Sequence, residues 1–353
     1  MADRVLVTGG SGFVAGYCVT ELLDHGYSVR TTVRDSGDPE KSARLRELGD
    51  VEVMPADLSS DAGWAEAMEG CAFVLHVASP FPAAMPKDEA DVIRPAVDGT
   101  LRVLRAAADS GTVRRVVLTS SVAAIASGHP DDHKVFTEAD WSVVDAIPAY
   151  EKSKTLAERA AWDFAATLPD GGGFELVVVN PGFVLGPVRH APVGTSVNLV
   201  RRLLAREVPA SPPIGLAVVD VRDLAVAHRL AMEVPGAAGN RYICAGDNTW
   251  MQEVARILAE NFDGLGFRVP TGKMPSWLIR LAAPFNSEMR QVRFLAGHPV
   301  SVSAQKAHNE LGWTMRPLRD TVVDTATSLV ETGIVPAPAS AHPAPPVPTT
   351  TNS

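Results

Sequence analysis

The chain reads as an α/β protein built on a doubly wound parallel sheet, followed by a smaller and mostly helical lobe. Three observations predict this. Short β-branched runs alternate with helical patterns from the first residues, the runs are apolar almost throughout, and a glycine cluster directly follows the first of them. Near-continuous apolar strands separated by helices mean a parallel sheet covered on both faces, joined by right-handed crossovers.

The predicted strands are Arg4–Thr8, Ser28–Val33, Val51–Met54, Phe73–Val77, Arg115–Ser120 and Glu175–Asn180. Helical patterns occupy Val14–His25, Lys41–Leu48, Ala62–Met68, Ala90–Ser110 and Tyr150–Thr167 between and after them. Past Pro181 the regularity loosens. Prolines through 186–211 surround one helix-like piece, Val197–Glu207, which marks an excursion away from the sheet. Val218–Val221 and Arg241–Ala245 return to it, flanking a helix at Arg222–Glu233. Thr249–Phe262, Ser276–Leu295 and Leu318–Thr332 read as helices of the lobe. The expected sheet domain is therefore 1–185 with 215–248, and the lobe 186–214 with 249–334. Residues 335–353, rich in Pro, Ala, Ser and Thr, cannot bury enough surface to order themselves.

Composition excludes several function classes. With 353 residues the chain can bury a large core. Its net charge of −9 and lack of basic runs argue against nucleic acid, whose phosphates such a surface repels. Cys18, Cys71 and Cys244 are isolated and odd in number, so they read as small buried hydrophobes in a reducing compartment. No apolar run is long enough to span a bilayer, and the N-terminus lacks a signal-peptide core; a cytoplasmic protein with no membrane partner is expected.

Thr8-Gly9-Gly10-Ser11-Gly12-Phe13-Val14-Ala15-Gly16 ends the first strand and opens the first helix. Glycines there allow a tight turn and bring a pyrophosphate close to the helix N-terminus, where backbone N–H groups favour an anion. Directly after an apolar strand, the pattern predicts a Rossmann-type dinucleotide site. The second strand ends Thr32-Val33-Arg34-Asp35, with Lys41 after a short loop. An arginine at that tip suits the 2′-phosphate of NADP(H), although Asp35 could serve a ribose instead.

Tyr150 and Lys154 stand four residues apart, which on a helix places phenol and ammonium on one face. A tyrosine that must donate a proton needs its acidity raised from a pKa of about 10, and an adjacent cation is expected to do so. His129, Asp131, Asp132 and His133 offer metal-ligand atoms but share a polar loop flanked by Gly and Pro; a solvated loop is the reading, and no metal is expected. His76 ends an apolar strand as a core or near-site histidine. Trp277, Leu278, Leu281, Phe285 and Phe294 read as lobe packing. With Phe81, Pro82 and Met85 they suggest an apolar pocket.

These motifs, together with Ala56-Asp57-Leu58, His76–Pro80, Thr119-Ser120-Ser121, Tyr150–Glu158 and Asn180–Pro187, resemble the extended short-chain dehydrogenase/reductases. The likeness is to the dihydroflavonol reductase, cinnamoyl-CoA reductase and bacterial aldehyde/ketone reductase group, over roughly residues 3 to 330. The resemblance implies that Gly9, Ser11, Gly12, Phe13 and Val14 hold the pyrophosphate, and that Arg34 and Lys41 hold the 2′-phosphate. It implies Asp57 and Leu58 at the adenine, Val77, Ala78, Ser79 and Thr119 beside the ribose, and Pro181, Val184 and Ser196 at the nicotinamide. Ser121, Tyr150 and Lys154 match the catalytic serine, tyrosine and lysine. The chain departs from the group at Ala15, in place of a third glycine, and at Ala126, where plant dihydroflavonol reductases carry an asparagine that contacts the flavonoid ring.

The implied reaction is NADPH-dependent reduction of a small-molecule carbonyl. Two other readings stay open. One is a sugar-nucleotide epimerase/dehydratase or hydroxysteroid-type dehydrogenase, with Arg189, Arg201, Arg202 and Arg206 meeting a diphosphate; the other is a non-catalytic NADP-sensing protein. A monomer and a homodimer fit equally well.

Overall fold

The computed structural model describes residues 2–35, 37, 39–80, 88–130, 134–169, 173–275, 277 and 296–338, with the side chains of 39–42 outside that description. Seven strands form one sheet: β1 (Arg4–Val7), β2 (Ser28–Val33), β3 (Val51–Pro55), β4 (Phe73–His76), β5 (Arg115–Thr119), β6 (Glu175–Pro181) and β9 (Arg241–Cys244). Their order is β3-β2-β1-β4-β5-β6-β9, and each neighbouring pair is parallel. The doubly wound sheet expected from the sequence is present. Three short strands, β7 (Phe183–Leu185), β8 (Gly215–Asp220) and β10 (Asn248–Trp250), make a second sheet in the order β10-β8-β7.

The apolar runs are continuous because each strand feeds two cores. Val5, Val7, Leu75, Val117, Val177 and Val179 face α1 (Phe13–Asp24) and α7 (Val221–Glu233). Their alternates Leu6, Val74, Val116, Leu118, Leu176 and Val178 face α3 (Trp64–Met68), α4 (Ala90–Asp109) and α5 (Ala149–Ala165). Period-two alternation puts successive side chains on opposite faces, and helices cover both. Cys18, Cys71 and Cys244 are free and buried among these residues. The remaining helix between strands of this sheet, α2 (Pro39–Arg46), follows β2.

Two compact units divide the chain: residues 1–186, 215–249 and 298–318 form the first, and 187–214, 250–297 and 319–353 the second. The segment 298–318, read from the sequence as lobe, belongs to the first. Its helix α9 (Gln305–Leu311) buries Ala307 and Leu311, with Trp313 beyond it, in the same core as α1 and α7. The Trp313 indole N–H donates to the Asp223 carbonyl at 2.7 Å. The second unit contains α6 (Thr195–Leu204), α8 (Met251–Phe262) and nearly all of α10 (Leu318–Glu331). Val335 is 2% exposed and its N–H reaches Leu329 at 2.8 Å. Val335, read as the first residue of the tail, is therefore packed, and 339–353 lie outside the described residues. Among the described residues no helix is long and apolar enough to cross a membrane.

Two buried arginines in the strands terminate helices. Arg30 of β2 pairs with Glu52 at 2.9 Å and donates to the Glu66, Ala67 and Glu69 carbonyls at the end of α3. Arg115 of β5 pairs with Glu175 and donates to the Ala231, Met232 and Val234 carbonyls at the end of α7. The last carbonyls of a helix are short of intrahelical donors; backbone N–H groups reach only Glu66 (from Glu69, 3.3 Å) and Val234 (from Ala237, 3.1 Å) among these, and the cation also offsets the negative end of the dipole. Arg115→Met should strand the Ala231 and Met232 carbonyls in the interior and lower stability by about 2–4 kcal/mol, read by urea unfolding. A midpoint unchanged from wild type would show that the carbonyls find other partners.

Candidate active site

The turn after β1 is shaped by steric necessity. Gly9 has φ +73, and a Cβ there would lie 2.9 Å from the Cβ of Ala78. A Cβ on Gly10 would lie 2.1 Å from Thr31 Oγ1 of β2. Only glycine lets the chain pass so close to both neighbouring strands. Gly12 then caps α1 in an extended conformation with no side-chain cap, so the first-turn N–H groups face outward at an exposed Ser11-Gly12. Thr8 ties this turn to the end of β4, accepting from Ala78 N–H at 3.0 Å and pairing with His76 Nδ1 at 2.9 Å. Ala15, in place of a third glycine, is buried at the contact of α1 with the sheet.

At the tip of β2, Arg34 and Asp35 are exposed. Asp35 accepts from Gly37 N–H at 2.9 Å. The Asp57 carboxyl is held below its ordinary pKa, first by hydrogen bonds from Ser59 and further by the charges of Arg34 and Arg102. Arg34 and Asp57 therefore lie in one electrostatic neighbourhood. Leu58 is anchored through its carbonyl, which accepts from Arg102 of α4, and it packs on Gly99, where a Cβ would approach to 3.0 Å.

Helix α5 carries Tyr150 and Lys154 on one face, as expected. The Ser121 hydroxyl, at the end of β5, hydrogen-bonds the Tyr150 phenol and accepts from Ala123 N–H at 3.1 Å. Lys154 Nζ donates to Ser79 Oγ at 3.0 Å, just beyond β4. One expectation is corrected here. Burial pushes the Tyr150 pKa up to about 12, with Glu151 adding to the rise and Ser121 opposing it; Lys154 is not among the causes. The reason is geometric, since the ammonium is turned to Ser79. Burial also lowers Lys154, to about 8, with Glu158 acting in the opposite sense. It holds His76 near 3, helped by the Lys154 charge. Loss of water disfavours the charged form in all three cases, whatever its sign.

The pattern of the NAD dependent epimerase/dehydratase family matches residues 5–245. The chain belongs to that family. It is 35% identical over 291 residues to an anthocyanidin reductase of Vitis vinifera, covering 76% of this chain and 84% of that one. It is also 35% identical to a cinnamoyl-CoA reductase of Petunia hybrida, covering 95% and 94%. Among solved structures, yeast methylglyoxal/isovaleraldehyde reductase Gre2 complexed with NADPH superposes with a TM-score of 0.77 at 30% identity, covering 94% of this chain and all of that one. These relatives place this family member among the extended short-chain dehydrogenase/reductases, an enzyme of the oxidoreductase class.

As in the sequence reading, this epimerase/dehydratase family chain gathers most site candidates at the carboxyl edge of one sheet. Gly9, Ser11, Gly12, Phe13 and Val14 follow β1, Val77, Ala78 and Ser79 follow β4, and Ser121 follows β5. Pro181 is buried as the last residue of β6, and Val184 is half-buried in β7. Three candidates stand differently. The Thr119 hydroxyl is committed to His228 Nε2 of α7 at 2.7 Å. Ser196 is carried by the second unit, in the first turn of α6. The side chain of Lys41 lies outside the described residues, as do Phe81, Pro82, Met85, Asp131, Asp132, His133, Leu278, Leu281, Phe285 and Phe294. His129 packs on Phe136 and reaches the Ile125 carbonyl; Trp277, read as lobe packing, is 63% exposed. Ala126 packs against a small core of Ile125, Phe136, Ile243 and Val302. A surface cavity of about 430 Å³ between Asp247, His308 and Met315 contains none of the catalytic candidates.

Sequence reasoning missed one cluster. Glu158, 1% exposed, accepts from Ser120, Asn180 and Arg241 one turn beyond Lys154 on the same helix face. Its spacing from Lys154, one further helical turn, was the available signal.

Gly9→Ala tests the close turn. The left-handed conformation alone costs about 1–2 kcal/mol for an alanine. Gly26, at φ +79 with nothing within 4 Å of a Cβ, isolates that cost. Gly9→Ala should destabilise clearly more than Gly26→Ala in urea unfolding. Equal losses would mean that Ala78 yields and the turn is not sterically fixed.

Proposed function

We propose that the protein is an NADPH-dependent reductase that converts an aldehyde or ketone to an alcohol. The observation that carries this reading is the grouping of Tyr150, Ser121 and Lys154 with Ser79 at the sheet edge shared by the Gly9–Gly12 turn. Relatives named as reductases, one of them complexed with NADPH, support it. The chain also fits the dinucleotide. The Gly9–Gly12 turn leaves room that a Cβ would fill, and α1 opens with no side-chain cap. Arg34, exposed beside Asp57, would take the 2′-phosphate, and Leu58 the adenine. When bound, the reduced dinucleotide supplies a hydride to the carbonyl carbon.

The chain's own residues manage the oxygen. As the carbonyl π electrons collapse onto oxygen, Tyr150 releases its phenolic proton to it and the alcohol is complete. A phenol near pKa 12 stays protonated at neutral pH, yet it is more acidic than the alcohol it forms. Ser121 orients the same oxygen and shares the developing charge. Lys154, cationic below about pH 8 and turned to Ser79, would hold the ribose beside the nicotinamide, the role that the family resemblance implies.

Tyr150→Phe should reduce kcat by at least about a hundredfold, the usual scale for losing a proton donor, in NADPH oxidation against a panel of aldehydes and ketones. Near-wild-type turnover would end the reading. Arg34→Ala should raise the Kd for NADPH far more than that for NADH, measured by fluorescence titration; equal losses would contradict 2′-phosphate recognition. The free enzyme governs the pH dependence of kcat/KM. Lys154 loses its proton as pH rises through about 8, so kcat/KM should fall above that pH. A profile flat to pH 10 would remove Lys154 from the mechanism.

A further inference from the structure

Resting on the reductase reading, we propose that Glu158 is a positioning residue of the site: clamped by Arg241, its carboxylate fixes Ser121 from behind and sustains the ammonium of Lys154. Tyr150, Lys154 and Glu158 follow one another at four-residue spacing along a single face of α5. Glu158 Oε2 accepts from the Ser120 hydroxyl at 2.5 Å and from Asn180 Nδ2 at 2.8 Å. The same Asn180 amide donates to the Ser121 carbonyl at 3.2 Å. One carboxylate oxygen thus holds the residue before Ser121 by its side chain and Ser121 itself by one intermediate.

The other oxygen receives Arg241 Nε at 2.5 Å. Arg241 is itself buried, lies 3.8 Å over the Trp141 ring, and donates to the Glu138 and Asp140 carbonyls at 3.0 and 2.7 Å. It therefore pins the segment that leads into Tyr150. The network joins the ends of β5, β6 and β9 to the helix that carries Tyr150 and Lys154.

As a stabilising device this cluster is poor. A buried ion pair often contributes less than apolar residues of the same shape. Here, among the described residues, Asn180 Oδ1 and Arg241 Nη2 are also buried without a hydrogen-bond partner, which costs stability. What the cluster supplies instead is a fixed negative charge behind Lys154. The other groups facing that lysine cannot do this. Tyr150 on its own helix is a neutral phenol, His76 of β4 is held neutral by burial, and Ser79 and Ser121 do not titrate. Among the described residues, Glu158 is the charge that raises the Lys154 pKa against the burial that lowers it.

The test is Glu158→Gln, which keeps shape and removes charge. Lys154 is titrated directly in the cofactor-free protein, by NMR of ¹³C-dimethylated lysines assigned with Lys154→Arg, alongside the kcat/KM profile. Removing the carboxylate should move the Lys154 titration, and the alkaline limb with it, down by at least about half a pH unit. It should also lower kcat/KM by about tenfold or more. Glu158→Gln/Arg241→Gln removes the pair together. It should recover the thermal midpoint without recovering either the titration or the rate. An unmoved Lys154 titration in both variants would overturn the proposal, as would a double variant restored to within about threefold of wild-type kcat/KM. So would failure of both variants to fold, which would assign the pair to the fold alone. A wild-type protein that leaves NADPH unoxidised with every aldehyde and ketone of the panel would instead sink the reductase reading, and the Lys154 titration would still decide the role of Glu158.

Discussion

β1 pairs with β2 on one side and β4 on the other, and the connections on the two sides wind in opposite directions. A parallel sheet with such a reversal cannot be covered at the carboxyl ends of those two strands, because the crossover helices lead away from each other. The opening this leaves is narrow. Thr8 holds the two strand ends together through Ala78 and His76, and Gly9 passes so close to Ala78 that no side chain fits between them. Every group assigned to the chemistry takes its place from that junction. Ser79 follows it directly, Lys154 reaches across to Ser79, and Tyr150 stands one turn before Lys154.

Burial then sets the acid–base character of the site. Tyr150 and Lys154 are half-buried and His76 is fully buried, and the loss of water drives the phenol towards about 12, the ammonium towards 8 and the imidazole towards 3. All three shifts favour neutrality. A tyrosine that keeps its proton until a substrate oxygen develops charge is suited to donate rather than to ionise in advance. Spacing alone suggested the opposite direction, since a cation one turn away would ordinarily make a phenol more acidic. The Lys154 ammonium is committed to Ser79, and desolvation sets the direction of the tyrosine shift.

What could be read from the sequence follows the range of the interaction. The first six strands and the helices that alternate with them were legible because period-two and helical apolar patterns are local. The glycine turn and the Tyr150–Lys154 face were legible for the same reason, each contained within a few residues. Short elements such as β7 and β10 carry too few residues to show a period. The segment holding α9 was assigned to the wrong unit, because only the burial of Leu311 and Trp313 against α1 and α7 shows where it packs. The capping of α7 by Arg115, and the commitment of Thr119 to His228, each join residues more than a hundred positions apart. No spacing rule reaches that far.

The same limit explains why Glu158 escaped notice although its spacing was visible. Four residues past Lys154, a glutamate on a helix is ordinarily a solvated partner for a surface lysine. Its meaning changes only when β5, β6 and β9 bring Ser120, Asn180 and Arg241 around it and exclude water. Inside, the carboxylate cannot relax towards solvent, and Arg241 cannot leave it without exposing two buried charges to an apolar surrounding. The charge is therefore fixed in position as well as in sign. A lysine beside such a charge keeps its proton to a higher pH than burial alone would allow, and it is the lysine, not the tyrosine, on which the Glu158 charge acts.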